Sequence, residues 1–166
     1  MYRRGVFITS AIASLWIALP TGTAVADGDG NSSVVGMWHA VLRIGSNGPV
    51  FDEVFEQFHS DGTELLISNG LPPALGNVCV GVYRQVGHRT YKLKHMTWNW
   101  SPDVNAAFGI QGTFSGHFEL EMTLRLDERG RQFSGVYSAR SFDTEGKHLP
   151  EFDVRGVVNA TRITAN

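Results

Sequence analysis

The stretch Phe118-Glu119-Leu120-Glu121-Met122-Thr123-Leu124-Arg125-Leu126 decides the fold. Its apolar residues fall on every second position, and Glu119, Glu121, Thr123 and Arg125 fill the positions between. Successive side chains of an extended chain point to opposite faces, so this pattern is a strand with one buried face and one polar face. The alternation returns at Phe133, Gly135, Tyr137 and Ala139, and again at Phe152, Val154, Gly156, Val158 and Ala160. Upstream, shorter runs cover about residues 34–44, 50–60, 63–68, 78–86, 90–100 and 106–114. Asn47-Gly48, Asp61-Gly62, Glu128-Arg129-Gly130 and Glu145-Gly146 stand between runs, with glycine where a hairpin needs positive φ. Such runs, roughly ten residues apart and joined by glycine turns, predict an all-β domain. Eight or nine of them in antiparallel, up-and-down order would close into a barrel and leave no exposed edge.

The first 26 residues read as a signal peptide. Arg3 and Arg4 make a short positive region, 6–19 is mostly apolar, and Ala24-Val25-Ala26 supplies the small-x-small pattern of a cleavage site. The apolar run falls short of the ~20 residues that a membrane-spanning helix needs, so no membrane span is expected after cleavage. Arg3-Arg4 also fits the twin-arginine export pattern loosely. Residues 27–33 are polar and glycine-rich, a flexible leader, and 34–166 would form one domain, working in the periplasm or secreted.

Without Arg3 and Arg4, the 14 basic residues are reduced by two against 16 acidic ones, a net −4. With no basic patch, nucleic acid is not an expected partner. Cys79 is the single cysteine, so no intramolecular disulfide forms and the core must supply the stability. The chain has no Gly-x-Ser-x-Gly elbow, Walker loop, Rossmann fingerprint, His-Glu-x-x-His or Cys-x-x-Cys. Hydrolase, nucleotide-dependent and zinc-peptidase functions therefore lose most of their support.

Gly36-Met37-Trp38 opens the first run, and Arg162 lies in the last. This Gly-x-Trp with a late arginine resembles the first-strand motif of lipocalins and related calycin barrels, in which the tryptophan closes one barrel end. The resemblance implies that Arg162 stacks on Trp38. The chain departs from lipocalins in lacking their usual disulfide and in showing no C-terminal helix. The longer stretch from Phe51-Asp52-Glu53 through His59-Ser60-Asp61-Gly62-Thr63-Glu64 and Cys79-Val80-Gly81-Val82 to Tyr91-Lys92-Leu93-Lys94-His95 resembles small exported bacterial lipocalin-like proteins. That resemblance implies export and a barrel, and little chemistry.

His59 and Asp61 stand two apart, which on a strand places them on one face together with Gln57. If this face and that of His95 both meet the lumen, His59, Asp61, Glu64 and His95 form a candidate acid–base cluster, with Gln57, Cys79, Tyr83 and Tyr91 as neighbours. A histidine next to a carboxylate in an apolar barrel has its pKa moved into a useful range. His59, Asp61 and His95 also have the composition of a two-histidine, one-carboxylate site for ferrous iron. Against this, Asp61-Gly62 is a turn dipeptide whose aspartate often bonds its own backbone. Cys79, between two valines, reads as an inert buried thiol. Trp98 and Trp100 share one face, either packing at the rim or offering a stacking platform to a flat ligand.

These residues predict a barrel that binds a small hydrophobic or aromatic molecule in its lumen. The alternatives are a small barrel enzyme, an isomerase, cyclase or lyase using the histidine–carboxylate cluster, and a structural envelope protein. The sequence names no cofactor. Val78, Val80 and Val82 lie on the face opposite Cys79, Gly81 and Tyr83. Either the valines are core and Cys79 is outside, or the valines form a contact between subunits and the protein is a homo-oligomer.

Overall fold

The computed structural model describes residues 33–72, 75–103 and 111–165. The signal-peptide and leader expectations fall on residues outside this range, except for Ser33. Eight strands follow in chain order: β1 (Gly36–Ile44), β2 (Val50–Phe58), β3 (Thr63–Ser68), β4 (Val78–Gly87), β5 (Thr90–Asp103), β6 (Gln111–Leu126), β7 (Gln132–Phe142) and β8 (Val154–Arg162). Each pairs antiparallel with the next, and β8 returns to β1, so the sheet closes as an up-and-down barrel.

Two of the nine sequence runs merge into one strand. β6 passes continuously from the sixth run into the seventh because Ser115 is an extra residue: Asn99 pairs with Gly116 and Trp100 with Phe114. Gly116 takes φ 124°, and a side chain there would strike the Phe142 carbonyl. This glycine serves a bulge inside a strand, not a turn between two. Phe152 is likewise not part of the last strand: it ends a single 3-10 turn, Pro150–Phe152, and is exposed.

The inward face is the apolar one. Trp38, Ala40 and Leu42 from β1 meet Val158 and Ala160 from β8, while Leu120, Met122, Leu124 and Leu126 fill the lumen from β6. One end is plugged by rings: Trp38 lies 4.9 Å from Phe133, and Phe58 meets Tyr83 edge-on at 5.1 Å. Arg162 stacks on the Trp38 indole at 4.2 Å and, through its guanidinium, hydrogen-bonds the carbonyls of Ser33, Val35 and Gly130. At the other end the described residues leave a cavity, with Phe51 and Phe118 beside its mouth.

Cys79 faces inward and Val78, Val80 and Val82 face out, so a valine core with Cys79 outside is ruled out. On the outer surface Phe55, Ile67 and Val78 stand side by side across three strands, and Val80 stands beside Met96.

Candidate functional site

Inside the barrel, three strands each turn one ionisable side chain inward. Glu56 comes from β2 at the parity of Val54 and Phe58, Glu64 from β3 at that of Leu66, and His95 from β5 at that of Tyr91 and Leu93. Glu56, Glu64 and His95 are 1 %, 3 % and 1 % exposed. Glu64, Gly81 and His95 are direct cross-strand neighbours, with the glycine in the middle. A side chain at Gly81 would place its Cβ 2.4 Å from Glu64 Oε2 and 2.6 Å from His95 Cβ. Its absence lets the two outer residues meet, with His95 Nδ1 3.6 Å from Glu64 Oε2. Mid-strand glycines mark such close approaches.

The three residues can each point one donor atom at a common space, all of these atoms lying within 4.8 Å of one another. None of the four carboxyl oxygens, nor His95 Nδ1, has a hydrogen-bond partner among the described residues. Buried polar groups are nearly always partnered, and each one left without costs roughly 1–3 kcal/mol. Burial, and secondarily the neighbouring Glu64, raises the Glu56 carboxyl to about 8, with His95 opposing. Burial alone raises Glu64 to about 8. His95 moves the other way, pushed down by burial against the pull of Glu56 and Asp52. At neutral pH Glu64 and His95 are thus both uncharged, and at 3.6 Å they are neither an ion pair nor a hydrogen bond.

Above this cluster the lumen opens into a cavity of about 260 Å³. Leu42, Phe51, Val54, Leu66, Phe118 and Leu120 make its apolar wall. His95 and Cys79 also line it, and Asp52, Ser68, Thr97 and Asn99 add polar atoms. The Cys79 thiol is pushed up to about 12, chiefly by burial and then by the charges of Glu64 and Asp52, so it stays protonated and unreactive.

The cluster overlaps the sequence expectation only in part. Glu64 and His95 face the lumen together. His59 and Asp61 do not join them: both are exposed, in the β2–β3 turn at the plugged end. His59 N–H bonds the Thr63 carbonyl, and Asp61 Oδ1 accepts the Thr63 N–H and hydroxyl, which also lowers the Asp61 pKa. The expected metal set of His59, Asp61 and His95 is therefore not assembled, because the turn spends both residues outside. Gln57 alternates with the inward Glu56 and Phe58 and lies on the outer face. Tyr83 and Tyr91 point inward but belong to the ring plug, where the Tyr83 hydroxyl donates to the His59 carbonyl. Cys79 alone of the six expected ligand contacts lines the cavity. Trp98 is on the outside, 61 % exposed. Trp100 meets Phe114 edge-on at 5.7 Å and borders a separate depression beside the mouth.

Glu56 is the residue that sequence reasoning missed. Apolar residues of β2 occupy both parities, with Val54 and Phe58 on one and Phe55 on the other, so its inward face was undetermined. The available signal was the spacing of Glu56 midway between Val54 and Phe58. Compared with known proteins, the chain matches no family model and no curated protein.

Proposed function

We propose that this barrel is an exported, lipocalin-like binding protein that holds a small, largely apolar or aromatic molecule in the cavity opposite its ring plug. The observation that carries the reading is the cavity itself: about 260 Å³, mostly apolar walls, and a few convergent polar groups, His95 and Asp52 among them. Ligand pockets have this composition, and usually measure about 300–1,000 Å³. The volume lies just below that range, so the ligand is one or two rings in size.

The test is calorimetric titration of the mature protein with one- and two-ring aromatic probes such as phenol and 1-naphthol, together with native mass spectrometry of protein taken from its own export compartment. Saturable binding that is lost when Leu66→Trp fills the cavity supports the reading. No binding by any probe up to millimolar concentration, with no retained organic molecule, overturns it.

One observation favours a second reading, a small barrel isomerase, cyclase or lyase. Glu56 and Glu64 keep protons at neutral pH next to a neutral imidazole, which is the arrangement of a general acid beside a general base. Proton exchange into a bound probe that Glu64→Gln abolishes without weakening binding would establish it, and exchange unaffected by that change would remove it.

A further inference from the structure

We propose that Glu56, Glu64 and His95 bind one divalent transition-metal ion beneath the cavity. This stands whether or not the cavity takes an organic ligand. Three donor atoms that converge within 4.8 Å, from residues at most 3 % exposed, have no hydrogen-bond partner among the described residues. A cation satisfies them all at once. Two carboxylates also balance a charge of +2, so the loaded site is neutral, which is what a low-dielectric lumen tolerates.

The spacing suits one ion. Two ligands bound at ~2.1 Å to a tetrahedral or octahedral centre lie about 3–3.5 Å apart, and the His95–Glu64 pair, at 3.6 Å, needs almost no movement. Gly81 supplies the room for that pair. The donor set selects the metal class. Two carboxylates and one imidazole suit Mn(II), Fe(II), Co(II) or Zn(II), whereas Ca(II) and Mg(II) prefer sites built wholly from oxygen, and Cu(I) prefers sulfur. Cys79 is close by but is not in the converging set. Three protein ligands leave coordination positions open, and His95 also lines the cavity, so the open side serves whatever enters there.

The experiment uses mature protein stripped with a chelator and then titrated with Mn(II), Co(II) or Zn(II), with Mg(II) and Ca(II) as comparisons. Elemental analysis after desalting gives the stoichiometry. The expected result is one ion per chain, a raised Tm, and Co(II) absorption bands with no thiolate-to-metal charge transfer. Affinity falls at least tenfold in Glu56→Gln and in Glu64→Gln, and is unchanged in Cys79→Ser and in Asp61→Ala. The glutamines match the shape of the protonated acids, so the variants are expected to fold. Should one fail to, the wild-type stoichiometry and Co(II) spectrum still decide. Two results overturn the proposal: no stoichiometric ion, or binding that survives in folded Glu56→Gln/Glu64→Gln and disappears when the surface residues His39 and His148 are replaced.

Discussion

The Arg162 guanidinium carbon lies over Trp38, 4.2 Å from the indole centroid, across the seam where β8 closes on β1. Gly36 explains why a glycine precedes this tryptophan by two. It has φ 128°, and a Cβ there would stand 2.8 Å from Arg162 Nη1. The Gly-x-Trp motif is thus the imprint of a stacked arginine. Arg162→Ala removes the cation–π contact and three hydrogen bonds, and is expected to cost about 2–4 kcal/mol in urea unfolding. Arg162→Lys restores little, because an ammonium does not reproduce the planar fork. Gly36→Ala is expected to cost less in the Arg162→Ala background than alone, since only the backbone strain persists. Equal costs in both backgrounds would show that the clash is not what fixes the glycine.

The resemblance of Gly36-Met37-Trp38 and Arg162 to the lipocalin first-strand motif implied that pair. β6 was legible from parity: every even position from Phe118 to Leu126 is apolar and every odd one polar. Parity failed where both faces of a strand are apolar. On β2, Phe55 is exposed while Val54 and Phe58 are core, and a one-residue slip there hides Glu56 and puts Gln57 and His59 inside. The bulge at Ser115 was hidden for a related reason: a Ser-Gly pair reads as a turn, and only pairing with β5 shows that the strand continues.

Gly81 gives a test of the interior that leaves every donor in place. Gly81→Ala drives a methyl group between Glu64 and His95, at 2.4 and 2.6 Å in the unrelaxed structure. The Lys94 carbonyl, a backbone atom, would also stand 2.8 Å from that Cβ, so overpacking is expected to cost about 1–3 kcal/mol. It also separates the pair and weakens metal binding. Gly87→Ala, whose Cβ would meet nothing nearer than 3.6 Å, is the matched control on the same strand. Thermal unfolding of the two variants, with and without Zn(II), checks both expectations.

The outer face of β4 carries a prediction about assembly. Val80 and Val82 are 62 % and 61 % exposed, and Phe55, Ile67, Val78 and Met96 extend the same apolar surface across β2 to β5. Contiguous apolar surface of this kind is seldom left in water. Size-exclusion chromatography with light scattering is expected to find a homo-oligomer, and Val80→Glu/Val82→Glu to give a folded monomer. A monomeric wild type would assign these valines another role.

The buried carboxyls predict an inverted pH dependence for protein stripped of metal. The groups involved are Glu56 on β2, Glu64 on β3, Cys79 on β4 and His95 on β5, with Asp52 at the mouth. From pH 4.5 to about 8 the unfolded chain has lost protons that folded Glu56 and Glu64 still hold. The folded state binds more protons over that window, so each step up in pH favours unfolding, and the loss is complete above about 8. His95 acts oppositely: its folded pKa lies below 6.5, so acid below that value protonates the unfolded chain first and costs stability. Cys79, held up near 12, contributes its loss only at alkaline pH, beyond the carboxyl window. From pH 6.5 to 8 the two carboxyls outweigh the remaining titration of His95 in the unfolded chain, and stability is expected to fall by a few kcal/mol in all. A bound divalent cation pairs with the ionised carboxylates, so Zn(II) should raise Tm far more at pH 8 than at pH 5.5. Urea unfolding of stripped protein at the two pH values decides the matter. Greater stability at pH 8 would mean that these carboxyls are already ionised and satisfied within the folded barrel.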